Sequence, residues 1–495
     1  MTDLGFPAWV RLTHLFNILF ITLLIRSGIE ILSSHPKLYW NDDCTPGSEW
    51  LRLTRKHQPS DRLWTSLDEE EPYPALIALP GGRRLGLGRH WHFASVYGWI
   101  LTGLVYVVLL FTADQWRRLV PTSLDVFPQA WSEALVYLHF QLPPDGHPYT
   151  SLQQLAYFPI VFLLPPLTIA TGLAMSPAIA GRFPWYLRIF GGKQAARSIH
   201  FICLVVFIAF TLGHTALVVI HGLGHEFALM ALGSSAADQT TALVVGFSAL
   251  GAIALVHVLA TVLSRRRPRA VQRVLTALLD PVQDLLARGL PSAQQLPRER
   301  ISPFFRVNGY PPKDTIYKSL ADGGFRDWRL DVGGLVEHPA RLSLDDLHRM
   351  ARQDQVTLHS CIQGWTAVGE WSGVPLAQVI DACGPQPGAA YALVRALDDK
   401  SETHADGEPG GGHFYEIIDL KLARHPQTIL AYELNGKPLT IEHGAPLRLR
   451  VESELGFKMV KWITSIELID DYRKIGAGQG GWREDNMFYS PTVGI

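Results

Sequence analysis

The chain has 495 residues and a formal net charge of -1. That length allows two or three domains, and no basic footprint points to nucleic acid. Charged residues average 18%, but residues 1–264 hold 16 Lys+Arg and 16 Asp+Glu, whereas residues 265–495 hold 28 and 29. This step argues against a single soluble enzyme and against a chain that is all transporter. The four cysteines are Cys44, Cys203, Cys361 and Cys383. They form no CxxC pair, which argues against a disulfide scaffold, an iron–sulfur cluster and covalent haem attachment.

Five apolar stretches are long enough to cross a bilayer. They fall near residues 9–32, 93–112, 153–175, 199–221 and 241–264. The first is weaker because it holds Arg26 and Glu30, which at i,i+4 could pair on one helix face. It is too long and too poorly flanked for a signal peptide. Pro165-Pro166 should kink the third span. A long insert, about 34–90, separates spans one and two.

Histidines sit at repeated depths in these spans. His14 lies near the start of span one, His92 at the start of span two, and His200 and His214 in span four. Fourteen residues of helix cover roughly 21 Å and nearly four turns, so the last two share a face. Alternating spans bring His92 to His200 and His14 to His214. Two stacked bis-histidine sites are what two b-type haems require, and neutral imidazole is a good axial ligand. The alternative is that these histidines serve helix–helix hydrogen bonds. His257 has no partner at matching depth and reads as a packing or quinone-site residue. His90 is a rival ligand nearer the headgroups, and His221 and His225 read as loop histidines. Ser27-Gly28, Thr102-Gly103 and Thr171-Gly172 leave room for a flat macrocycle, or for ordinary small-residue packing.

The spans, the RLTH start at Arg11–His14 and the His200/His214 pair resemble the di-haem cytochrome b family. That family includes the membrane subunits of formate dehydrogenase and nickel–iron hydrogenase. The resemblance covers roughly 9–225 and implies two haem b groups on His14, His92, His200 and His214, with electron exchange with quinone in the lipid bilayer. The long insert and the fifth span depart from the family.

Beyond RRRPR, a stretch near 269–288 has helical apolar spacing and reads as a juxtamembrane linker or a lipid-contacting patch. From about 300 the pattern turns to strands: RLDVGGLV, QVTLHSC, AYALVRAL, FYEIIDL, TILAYEL, PLRLRVES and KWITSIELI. Asn435-Gly436 suits a two-residue hairpin turn. Short helices are expected at 343–352 and 375–382. The expected fold is multi-domain: an all-α transmembrane helical bundle followed by an α+β, β-rich domain. The expected division is 1–265, a 266–299 linker and 300–495.

Cys361, in HSCIQGW, can give one thiolate to a metal whose other ligands belong to an organic cofactor. Alone it could equally be a buried inert cysteine, as Cys44, Cys203 and Cys383 are read to be. The run SCIQGWTAVGEWSGVPL, with LAYELNGKPLTIEHGAPLRLRVESELGFKMVKWITSIEL, resembles the sulfite-oxidase-type molybdopterin domain over about 300–475. The periplasmic methionine sulfoxide reductase catalytic subunit belongs to that family. The resemblance implies that Cys361 ligates molybdenum, with one molybdopterin completing the site. It carries pterin contacts to Arg448, Gly456, Phe457 and Lys458, and an early one to Asn308. His443 stands where the reductase has Asn. The family's threonine contact has no match near 391–398, and its C-terminal immunoglobulin-like domain is not found. Arg448 and Lys458 would supply charge to a pterin phosphate, and Gly456 close backbone approach. The triple glycine 410–412 reads as a loop.

Joined, the halves read as a membrane-bound molybdenum oxidoreductase. Electrons pass between membrane quinone, two haems and a molybdenum centre that does oxygen-atom transfer on a small-molecule substrate. The reductase resemblance implies reduction of a sulfoxide-like compound. Sulfite-like oxidation feeding quinone, and an electron-transfer module with an idle molybdenum site, are the alternatives. The expected location is the bacterial inner membrane, multi-pass. Family resemblance puts the molybdenum domain outside. Loop charge puts it inside, with eight Lys+Arg in 33–91, four in 176–198 and four in 265–269. No twin-arginine export signal is read in the chain.

Overall fold

The structure is a computed structural model that describes residues 6–59, 61–143, 149–287, 294–403 and 410–490. Among the described residues five helices are long and apolar enough to cross a membrane: Ala8–Ser33, Leu85–Thr112, Ser151–Ala174, Lys193–His221 and Gln239–Arg266. At 24 to 29 residues each, they reach roughly 36–44 Å, more than a hydrocarbon core. The third is interrupted by a wide π turn at Pro159–Leu163, where the Leu164 N–H donates to the Pro159 carbonyl. Pro165 and Pro166 follow directly and have no N–H to give, so the irregularity sits where their missing donors would act.

The chain forms two compact units that interleave in sequence. The first comprises residues 1–28, 91–172 and 199–266. It holds most of the five spans. The second comprises 29–90, 173–198 and 267–495. The insert, expected to accompany the membrane part, therefore belongs to the second unit, as does the connection between spans three and four. Residues 268–287 form a helix, inside the stretch expected as a linker. Residues 288–293 of that stretch lie outside the described residues.

Arg26 and Glu30 do not pair. The Glu30 carboxylate accepts from the backbone N–H groups of Gly81 at 2.8 Å and Arg84 at 2.6 Å. Arg26 bonds instead to His257 and Thr261 on span five, both at 2.8 Å.

The second unit begins with a small antiparallel pair, β1 (Lys37–Leu38) and β2 (Leu51–Arg52). Ten further strands follow: β3 (Leu330–Gly334), β4 (Ala340–Leu342), β5 (Gln353–Ser360), β6 (Thr366–Pro375), β7 (Tyr391–Asp399), β8 (His413–Asp419), β9 (Ile429–Leu434), β10 (Lys437–Pro438), β11 (Arg448–Arg450) and β12 (Ile463–Ile469). One sheet runs β4-β3-β12-β7-β8, with only β3 and β12 parallel. The other runs β10-β9-β6-β5, with β11 also against β9. Val332, Val394, Ile466 and Leu468 of the first sheet share a core with Val374, Leu430 and Leu449 of the second. Asn435-Gly436 makes the two-residue turn between β9 and β10, both residues at positive φ, as a type I′ hairpin requires.

Candidate functional site: paired imidazoles and a buried cysteine cleft

Within the first unit the four span histidines meet in pairs. The ring centres of His92 and His200 are 6.4 Å apart, and those of His14 and His214 are 6.3 Å apart. Two metal–imidazole bonds of roughly 2.0–2.1 Å, plus about 1.1 Å from nitrogen to ring centre on each side, sum to about 6.3 Å. Direct hydrogen bonding between the rings would draw them closer. Both pairs therefore hold the space that one metal needs.

Hydrogen bonds fix the tautomer at one pair. Ser27 Oγ donates to the Leu23 carbonyl at 2.8 Å and lies 3.1 Å from His92 Nδ1. Its proton is already given, so His92 Nδ1–H donates to it. Thr171 Oγ1 likewise donates to the Leu167 carbonyl, and lies 3.1 Å from His200 Nδ1. The Thr168 carbonyl also accepts from His200 Nδ1 at 3.0 Å. Both Nδ1 atoms carry protons, which leaves both Nε2 lone pairs for a metal. A Cβ at Gly28 would sit 3.7 Å from the His92 ring, and one at Gly172 3.6 Å from the His200 ring. Two of the three expected small–glycine pairs thus stand beside imidazoles. Thr102-Gly103 does not: its hydroxyl donates to Gly98, and nothing lies within 4 Å of a Cβ at Gly103. At the other pair, Phe210 stacks on His214 at 5.7 Å and Tyr157 meets its edge at 6.1 Å. The donor set and spacing fit haem iron at each pair.

His90 does not compete for this role. Its ring bonds to the Gly86 carbonyl, Thr276 and Ser490 within the second unit.

Cys361 lies in the loop between β5 and β6. Its N–H donates to the Trp365 carbonyl at 3.0 Å, and Gly364 returns a bond to the Cys361 carbonyl at 3.0 Å. Gly364 has φ +110°, which excludes most side chains there. The sulfur is buried, 3.5 Å from Asn308 Nδ2 and 3.5 Å from Gln363 Oε1. Burial pushes the thiol up to about 12, against smaller opposite effects of the Gln363 backbone and Arg483. A coordinating metal would reverse this by taking the thiolate.

Beside it lies a narrow cleft of about 30 Å3, lined by Asn308, His359, Trp365, His443, Arg448, Gly456 and Lys461 among others. Its charged walls are Arg306, Glu442, Arg448 and Lys461. Burial, then the neighbouring Arg450, holds the Arg448 guanidinium well below its usual range. Burial, then Arg448, does the same to the Lys461 ammonium. Lys461 Nζ donates to the Asn308 and Glu442 carbonyls. Arg448 gives one bond to the His443 carbonyl at 3.0 Å, while its Nε and the Trp365 Nε1 are buried without partners. A Cβ at Gly456 would come 2.4 Å from the His359 ring, so glycine there permits close approach. The orphaned donors and basic side chains fit a pterin phosphate in chemistry, and the thiol held beside Asn308 fits a metal.

Asn308, His443, Arg448 and Gly456 thus line one cleft, and Asn308 also meets the Cys361 sulfur. Phe457 packs behind the cleft, its ring 5.1 Å from that of Tyr489. Lys458 corrects the expectation. Its ammonium is buried between Glu416, at 2.9 Å, and Glu484, and caps the carbonyls of Ile417 and Gly480. It neutralises two carboxylates that could not otherwise be buried together. His443 is held by Thr440 Oγ1 at 2.9 Å and the Phe305 carbonyl at 3.1 Å. Lys461 and His359 were not singled out in the sequence. Lys461 stands three residues past Lys458, in the same run, and was the better reading of that charge.

The insert walls this site. Gln363 Nε2 donates to the Ser66 carbonyl at 3.1 Å and to Glu70 at 2.6 Å. Ser66 Oγ donates to Asn308 Oδ1 at 3.3 Å. Thr366 Oγ1 donates to the Asp42 carbonyl at 2.8 Å, and Gln194 Nε2 to the Gly364 carbonyl at 2.8 Å. Behind these, Glu69 binds Lys37 at 3.0 Å, His35 at 3.1 Å and Arg306 at 2.5 Å. Both partners of the cysteine sulfur are therefore held in turn by residues of the insert.

Comparison with known proteins divides the chain in two. Residues 5–233 match the prokaryotic cytochrome b561 family, and residues 319–475 match the oxidoreductase molybdopterin binding domain. The provisionally named protein-methionine-sulfoxide reductase subunit YedZ1 of Azospira oryzae is 33% identical over 192 residues, 39% of this chain and 64% of that one. The protein-methionine-sulfoxide reductase catalytic subunit MsrP of Xanthomonas axonopodis is 36% identical over 150 residues, 29% of this chain and 45% of that one. The MsrP of Campylobacter jejuni is 29% identical, over 30% of this chain and 51% of that one. The chain thus spans about half to two thirds of the curated relatives it matches. The sulfane dehydrogenase SoxCD of Paracoccus pantotrophus aligns at a TM-score of 0.26 and 23% identity, over 32% of this chain and 40% of that structure.

Proposed function

From a chain that joins a cytochrome b561 domain to an oxidoreductase molybdopterin binding domain, we propose a membrane enzyme that draws electrons from quinol through two b-type haems and reduces a small sulfoxide-like substrate. The observation that carries this reading is the pair of imidazole couples, 6.4 and 6.3 Å across, in the same chain as the Cys361 cleft. His92 with His200, and His14 with His214, would each hold one haem. Cys361 would hold molybdenum, and Arg448 and Lys461 the anionic end of the pterin. When bound, the metal supplies the oxygen-atom and electron-pair chemistry. The protein's part is orientation: Asn308 and Gln363 position the sulfur, and the buried cleft keeps water from it. The names of the relatives favour methionine sulfoxide, free or in a protein, as substrate.

Arg483, whose positive charge acts on Cys361 more strongly than the opposing charge of Glu70, favours a second reading, in which an anion such as sulfite is oxidised and quinone reduced. One experiment separates the two. Purified, cofactor-loaded protein is reduced with a quinol, and the haem band is followed on adding methionine sulfoxide or sulfite. Reoxidation by the sulfoxide supports the reductase. Reduction of oxidised haem by sulfite supports the oxidase. Silence with both refutes both.

A further inference from the structure

The Pro268–Ala287 helix lies outside the imidazole pairs and the cleft lining. Its inner face is held within the second unit. Arg269 donates to the Glu484 carbonyl at 3.0 Å and Gln272 to the Tyr489 carbonyl at 2.8 Å, while Leu275 and Leu279 are buried. Its outer face is Ala270, Val274, Ala277, Leu278 and Pro281, all exposed, with Val274 at 63% and Leu278 at 62%. At 3.6 residues per turn these five positions make one stripe. A helix facing water turns charged residues outward. This one turns out an apolar stripe although its inner face is already packed.

Two bonds set the level at which the helix lies. Trp91 Nε1 donates to Ser264 Oγ at 2.8 Å, so the start of span two stands beside the end of span five. Only Arg267 separates span five from the helix. Further along, Thr276 Oγ1 lies 3.1 Å from Nε2 of His90, the residue before Trp91. A helix leaving the membrane at right angles would carry Thr276 roughly 15 Å past Arg266. Thr276 instead returns to the level of the span ends, so the first half of the helix runs along the membrane surface. Residues 265–281 hold five arginines and one acid, Asp280. Arg269 is engaged with carbonyls, whereas Arg265, Arg266, Arg267 and Arg273 are exposed. Exposed guanidinium groups beside an apolar stripe suit anionic lipid, with acyl chains against the stripe and phosphates on the arginines.

We propose that the outer face of this helix rests in the membrane interface, with Arg266, Arg267 and Arg273 on anionic phospholipid head groups. The test uses the full, haem-loaded chain in lipid nanodiscs, with an environment-sensitive fluorophore on Leu278→Cys. The four native cysteines are buried. A label on Arg341→Cys, at an exposed position of β4, is the control. Spin-labelled lipid should quench the label at 278 and iodide should not, the reverse of the control. In detergent, phosphatidylglycerol should shift the emission at 278 saturably, and at least about tenfold more tightly than phosphatidylcholine. Arg266→Gln, Arg267→Gln and Arg273→Gln together should remove that preference at unchanged haem content. Should the triple variant lose haem, Arg273→Gln alone should lower the preference about threefold or more. Should Leu278→Cys lose haem, Val274→Cys carries the label. Iodide access without lipid quenching overturns the interface. Shielding from both quenchers gives the face to a second copy of the chain and overturns it as well. Lipid quenching with no preference for phosphatidylglycerol overturns the head-group assignment.

Discussion

Ser27 and Thr171 are counterparts on two spans: each hydroxyl lies 3.1 Å from the Nδ1 of the histidine it faces, and each is followed by a glycine lying against that same imidazole. The matched dipeptides hold the Nδ1 of His92 and of His200 in the same way. Partners of this kind are worth roughly 10–100-fold in metal affinity. Ser27→Ala and Thr171→Val should therefore release haem from one pair on competition with an apo-haem acceptor, leaving the His14/His214 pair loaded. Equal retention at both pairs would count against the assignment.

Haem should be lost in halves. His200→Ala should lower the haem-to-protein ratio by about half, and His200→Ala with His214→Ala together should abolish it. A pyridine haemochrome assay gives the ratio. An unchanged ratio in either variant rejects the pairing.

Arg448 and Lys458 should separate, although both were expected at the pterin. Arg448→Gln should lower the molybdenum content of purified protein while the melting temperature moves little. Lys458→Met strands Glu416 and Glu484 together in the interior, at a cost of about 3–5 kcal/mol. Its melting temperature should fall, and its loss of molybdenum should track unfolding alone.

Cys361→Ser should leave fold and haem intact and remove molybdenum-dependent turnover. Metal analysis and reoxidation of the haem band by substrate read the two separately. Turnover and metal content near those of the parent would remove Cys361 from the site.

Acid should loosen the wall over the cysteine. Burial lowers His35 to about 3. Burial alone would raise Glu69, but the His35 hydrogen bond and the charges of Arg306 and Lys37 outweigh it and hold it well below the carboxylate range. Both folded values lie below the unfolded ones. The stability they lend is present above the unfolded values and is lost as pH falls, from about 6.5 for the histidine and about 4.5 for the glutamate. Glu69→Gln should be markedly less stable at pH 7, and its gap to the parent should close below pH 4 in thermal melts. A gap independent of pH would show that Glu69 acts by packing.

The pairing of the span histidines was legible because a helix repeats. Two histidines fourteen residues apart must share a face, and alternating spans fix which ends meet. The cysteine loop was legible through its motif. The strand after it, β6, was not. Residues 366–374 are buried on both faces, so no alternation shows, and Gly373 is there because a Cβ would meet the Leu430 carbonyl at 2.0 Å. Nor was the role of the insert legible. Ser66, Glu69 and Glu70 act on residues about 240–300 positions away, and no local pattern announces such a bond. Lys458 was misjudged because charge type says nothing about which way a side chain turns.

The interleaving of the second unit constrains the order of synthesis. Residues 29–90 and 173–198 leave the ribosome tethered between membrane spans, long before Arg306 and Cys361 exist to meet them. The unit cannot be completed as a free body and then moved. Either its parts cross the membrane as unfolded chain and take up the pterin on the far side, or the unit matures on the side where it is made. A pre-loaded, prefolded cargo is the one route this connectivity rules out.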